Sequence, residues 1–68
     1  MFKKVEELNR AKLTLSNGSV VVGESWGIID AEDDDGEDLG YELLIFKTDE
    51  LKNPLSLKEE DIKKVEAV

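Results

Sequence analysis

The chain has 68 residues, with nine basic and seventeen acidic side chains and a formal net charge of −8 at pH 7. It has no cysteine and no histidine, which excludes disulfides, thiol nucleophiles, the common zinc ligand sets and the usual proton shuttle of neutral pH. A chain this short is expected to form one domain over residues 1–68, burying only about 60% of the surface its unfolded form exposes, with a thin margin of stability.

In the opening FKKVEELNR, Phe2, Val5 and Leu8 lie along one stripe of a short helix, predicted over about residues 2–9. Two helical turns are unstable alone, so this stripe must dock on a core and act as a lid over one end of it. No apolar stretch follows the N-terminal MFKK, and the longest apolar run, LLIF at 43–46, is far too short to span a bilayer. The expectation is a cytoplasmic protein with no membrane partner.

The period then changes to two. Leu13 and Leu15 alternate with Lys12 and Thr14, which predicts strand 1 over 11–16. Asn17-Gly18 between apolar runs is a strong hairpin signal, because both residues tolerate positive φ. Strand 2 is predicted over 19–30. Strict alternation places Val20, Val22, Trp26 and Ile28 on the core face, interrupted by Glu24, and Val21 and Ile29 on the other with Gly23, Ser25 and Gly27. Trp26 is accordingly read as core, in preference to an aromatic ligand platform shared with Tyr41. Glycines inside an apolar strand mark a bulge or sharp bend.

YELLIFK predicts strand 3 over 40–47, apolar on both faces, with Leu43 and Ile45 assigned inward. TDELKNP is a loop closed by the turn-forming pair Asn53-Pro54. LSL starts a short strand 4 over 55–58, KEED reads as a single helical turn, and IKKVEAV is strand 5 over 62–68. One helix and five strands leave no room for a crossover helix, so the fold class expected is mainly β: a small five-stranded antiparallel SH3-like barrel with a short N-terminal helix. Its core is expected to hold Leu13, Leu15, Val20, Val22, Ile28, Leu43, Ile45, Leu57, Ile62 and Val65.

This pattern resembles the Sm and Sm-like family, a short helix followed by a strongly bent five-stranded barrel. The first family motif runs V-x-L-x-x-G-x-x-h-x-G-x-h-x-x-h-D, with h apolar. Leu13, Leu15, Gly18, Val21, Gly23 and Ile28 fall on its places, while Ser25 takes an apolar place and Ile29 the aspartate place. The second, I-R-G-N-N-I-x-x-I, is similar to LKEEDIKKV in its apolar skeleton at Leu57, Ile62 and Val65. The resemblance implies self-assembly, with the strand at 55–58 of one subunit pairing with the strand at 62–68 of the next.

The departures fall where that family binds RNA. The arginine, glycine and asparagine before strand 5 are replaced by Lys58, Glu59 and Glu60, and the loop after strand 2 is acidic. Carboxylates at those places repel phosphate, so RNA is not expected at the usual site. An alternative RNA surface would use Arg10, Lys12, Lys58, Lys63 and Lys64.

Asp30, Glu32, Asp33, Asp34, Asp35, Glu37 and Asp38 place seven acids within nine residues, while the remaining ten acids and nine bases nearly balance. Against the calcium-loop pattern D-x-[DN]-x-[DN]-G-x₅-E, Asp33, Asp35, Gly36 and Glu42 fit, but Ala31 takes the first ligand place and strands replace the flanking helices. Asp33, Asp35 and Glu42 are the candidate ligands for a weakly held divalent ion; a solvated loop is the preferred reading. No serine has a histidine to activate it, and no cofactor motif is present. The expectation is a non-catalytic binding or scaffolding module whose partner is another protein or a second copy of the chain.

Overall fold

The computed structural model describes residues 2–68. Helix α1 (Phe2–Leu8) is followed by five strands: β1 (Arg10–Leu15), β2 (Val20–Glu32), β3 (Asp38–Thr48), β4 (Leu55–Leu57) and β5 (Ile62–Ala67). They form one antiparallel sheet in the order β4-β3-β2-β1-β5, and a single 3₁₀ turn at Glu59–Asp61 precedes β5. Among the described residues, no helix is long and apolar enough to cross a membrane.

The predicted helical stripe docks as the periodicity requires. Phe2 and Val5 are buried in the core and Leu8 packs against it. Asn9 ends the helix in the left-handed region, at φ 62°, with its N–H donating to the Val5 carbonyl at 3.0 Å. Asparagine is among the few non-glycine residues that enter this region readily. Its own carbonyl accepts the Ser25 N–H at 2.9 Å, which ties the helix end to β2.

The first hairpin forms at Asn17-Gly18, with a different turn from the one anticipated. Gly18 alone takes positive φ, at 91°. Its N–H donates to the Leu15 carbonyl at 2.9 Å, the Leu15 N–H donates to Ser19 at 2.7 Å, and the Asn17 carboxamide accepts from the Ser19 N–H at 2.9 Å. The chain therefore reverses over three residues with glycine last, a turn in which asparagine has no need of positive φ.

Alternation fails in β2 and β3, and the predicted core changes with it. Leu13, Leu57, Ile62 and Val65 are buried as expected, with Leu15 and Ile28 packed against the core. In β3, however, the fully buried side chains are Leu44 and Phe46, whereas Leu43 and Ile45 face outward and are only half-buried. In β2, Val21 packs on the core opposite Leu13, while Val20 is 55% exposed and Val22 half-buried. Trp26 is not core either, being 58% exposed. A run apolar on both faces carries no parity signal, so the sheet register decides which set goes in.

Gly23 sits where the backbones of β2 and β3 approach closely. It pairs with Ala11 on one side and Thr48 on the other. A Cβ placed on it would lie 2.0 Å from the Lys47 carbonyl oxygen and 2.7 Å from the Thr48 Cα. Only glycine permits that approach of backbone to backbone.

The sheet is not closed, in contrast to the barrel expected. β4 and β5 remain its two end strands. β4 makes only three residue pairs with β3 and is preceded by Pro54, which lacks a backbone donor.

Candidate functional site

The site is built by an irregularity in β2. Ser25 pairs with Phe46 and Gly27 with Ile45, so Trp26 is an extra residue with no partner across the ladder. Gly27 adopts φ 120°, which releases the bulge, and its N–H donates to the Ser25 hydroxyl at 3.2 Å. A bulge re-aims a side chain, and here it turns the indole outward. The Trp26 Nε1–H donates to the Glu24 carboxylate at 3.3 Å.

Beyond the bulge the two faces resume. Ile28 pairs with Leu44 on the inner face and Ile29 with Leu43 on the outer face. Ile29 is 51% exposed, and Ile45 lies between Gly27 and Ser56 on the same outer side. Trp26, Ile29, Leu43 and Ile45 thus form an apolar strip on the outside of the sheet. A shallow cleft at its far end is lined by Ile29, Asp30, Ala31, Glu32, Glu42 and Leu43, among others.

The acidic run is narrower than the sequence suggested. Both strands extend into it, leaving 33–37 as the connection, and Ala31 is buried at a second irregularity between Asp30 and Glu32. The Asp33 carboxylate accepts the Asp35 and Glu37 amides through one oxygen, both at 2.9 Å. It serves the turn itself. Glu42 belongs to β3, opposite Asp30. Among the described residues no group of three or more carboxylates is placed to hold a metal ion.

The basic residues considered for RNA are scattered and accompanied by acids. Arg10 makes a two-point pair with Asp49, at 2.7 and 3.2 Å. Lys12 and Lys64 share Glu66 at 3.9 and 3.7 Å, and Lys58 lies 3.9 Å from Glu60 with its ammonium 4.5 Å from the Tyr41 ring centre. Lys63 is exposed on β5. Tyr41 and Lys58 border a cleft of about 420 Å³ that Phe2, Glu42, Glu59 and Glu60 also line.

The Arg10 hydrogen bond, reinforced by its charge, lowers the Asp49 carboxyl below the usual aspartate range, and the same contact raises Arg10. A depressed carboxyl favours the folded state above its unfolded value near 3.8 and loses that contribution as pH falls through the folded value. Carboxyl NMR titration is expected to give Asp49 a midpoint below the ordinary aspartate value. Arg10→Gln should raise it back toward that value; an unchanged midpoint would contradict the pairing.

Comparison of the chain with protein-family models, with curated proteins and with solved structures gives no match. The strip at Trp26 was missed by sequence reasoning because alternation places this residue inside; the signal that could have found it is Gly27 directly after the tryptophan.

Proposed function

We propose that the chain is a non-catalytic binding or scaffolding module that joins protein chains, including copies of itself, through the open edges of its sheet. The observation that carries this reading is the strand order, which leaves β4 and β5 as terminal strands. A terminal strand presents backbone donors and acceptors along its outer side, a template for one more strand. The absence of cysteine and histidine is consistent with a role outside catalysis.

An Sm-like relationship is the finer form of the proposal, with the cytoplasm as its setting. It is supported by the helix packed on a five-stranded antiparallel sheet and by Gly18 at the turn and Gly23 at the close approach of β2 to β3. In that form β4 of one subunit pairs with β5 of the next. RNA binding is the second reading; the carboxylates beside Arg10, Lys12, Lys58 and Lys64 weigh against it.

Native mass spectrometry of protein recovered from its host tests both. The expected result is a homo-oligomer or a protein complex that dissociates when β4 is blunted by Ser56→Pro, with circular dichroism confirming that the variant folds. A monomer without a protein partner at every concentration would reject the edge-pairing reading, and co-purifying RNA would favour the second.

A further inference from the structure

We propose that Asn17 is a modification site, where the side chain deamidates spontaneously at a rate set by the closed turn of the first hairpin. Of the three asparagines, Asn17 alone is followed by glycine. The nucleophile in this reaction is the amide nitrogen of the next residue, and glycine offers it with no side chain to crowd the attack. Asn53 precedes Pro54, which has no N–H, and Asn9 precedes Arg10, whose side chain hinders approach. Residues 16–20 are all exposed, and a Cβ placed on Gly18 would meet nothing within 4 Å. Water therefore reaches both reacting residues.

The step uses water and hydroxide alone. The Gly18 nitrogen gives its proton to hydroxide and bonds to the carbonyl carbon of the Asn17 side chain. The carbon–nitrogen bond of the carboxamide then breaks, and ammonia leaves with a proton taken from water. Water opens the resulting cyclic imide at either carbonyl, giving aspartate, or isoaspartate with an extra methylene in the main chain. The net change is gain of water and loss of ammonia, which adds negative charge to a chain already at −8. In the closed turn both reacting groups are engaged elsewhere. The Gly18 N–H donates to the Leu15 carbonyl at 2.9 Å, and the Asn17 carboxamide oxygen accepts the Ser19 N–H at 2.9 Å. The neighbouring Ser16 N–H donates to the Asp61 carbonyl at 2.9 Å, which fastens the turn to the segment before β5. Attack requires the Gly18 bond to open, so the rate follows the population of open turn. Aspartate keeps an oxygen for the Ser19 N–H; isoaspartate reroutes the main chain through the side chain and does not fit the three-residue reversal.

The experiment is incubation of the intact protein in mildly alkaline, isotopically labelled water below its melting temperature, with peptide mapping by mass spectrometry over several weeks. The expected result is label and an amide-to-acid mass change at residue 17, well ahead of Asn9 and Asn53. Its rate should lie about tenfold or more below that of the same chain unfolded in urea, which corresponds to about 1.4 kcal/mol of turn opening. Asn17→Gln keeps a carboxamide but would have to close a larger ring, and should abolish the signal. Asn17→Asp, the standard for the aspartate product, is expected to melt with the parent, and the separated isoaspartate form to melt lower. Folded protein that stays unmodified while the unfolded chain reacts would overturn the site. Equal rates in the folded and unfolded states would overturn control by the turn, as would an isoaspartate form that melts with the parent.

Discussion

Gly23→Ala is expected to destabilise the protein by about 3 kcal/mol or more, the upper end for forcing extra volume into a packed site. For a domain of this size that lowers the melting temperature by roughly 12–24 °C. The cause is contact alone, because Gly23 is not among the residues with positive φ. The added methyl would meet the Lys47 carbonyl oxygen at 2.0 Å and the Thr48 Cα at 2.7 Å. Both are backbone atoms of the paired strand, so no rotamer change relieves them; β2 and β3 must separate there. Shortening a neighbouring side chain should therefore give no rescue. Gly18→Ala is a useful contrast. It meets nothing within 4 Å but holds φ at 91°, so its cost is conformational, about 1–2 kcal/mol. Thermal melts of the two variants beside the parent check the ranking, and a Gly23→Ala protein that melts with the parent would refute the close approach.

Phe46→Ala is expected to cost about 3–5 kcal/mol, as removal of a fully buried phenylalanine does elsewhere. Phe46 is the largest of the fully buried side chains and lies between Ser25 on β2 and Leu55 on β4. A domain of 68 residues has a total stability of roughly 3–10 kcal/mol, so this one change removes a third to all of it. The adjacent Ile45→Ala tests the same strand from the other side. Ile45 faces outward and is half-buried, so its loss should cost about 1 kcal/mol, the centre of the range for point substitutions. Urea unfolding of the pair gives a direct reading of which face of β3 is the core. If Ile45→Ala proved the more damaging, the register of β3 against β2 would be wrong by one residue, because a one-residue slip exchanges the faces completely.

The two results bear on the candidate site as well. If Phe46 and Leu44 are inside, Ile45 and Leu43 are outside beside Ile29, and the strip at Trp26 exists. Core and outer face are set by one register, so a single pair of substitutions tests both.

The sequence by itself determined the element types and their order. The spacing of Phe2, Val5 and Leu8 specifies a helix that must dock, and the helix does bury Phe2 and Val5. Asn17-Gly18 specifies the first hairpin, and the glycines inside the apolar strand signal a bulge or sharp bend, which the structure places as a bulge between Ser25 and Gly27. These are local signals, carried by backbone freedom or by a repeat that one element contains entirely. Three features came only from the tertiary structure. Residues 43–46 are apolar in both parities, so burial in β3 depended on which set met Leu57, Leu13 and the helix. The outward turn of Trp26 depended on a bulge, which breaks the period of two that would have placed it inside. The open edges depended on β4 being too short, after Pro54, to carry the sheet round to β5. Each of these is a relation between strands distant in sequence, and alternation within one strand holds no information about its partner's register.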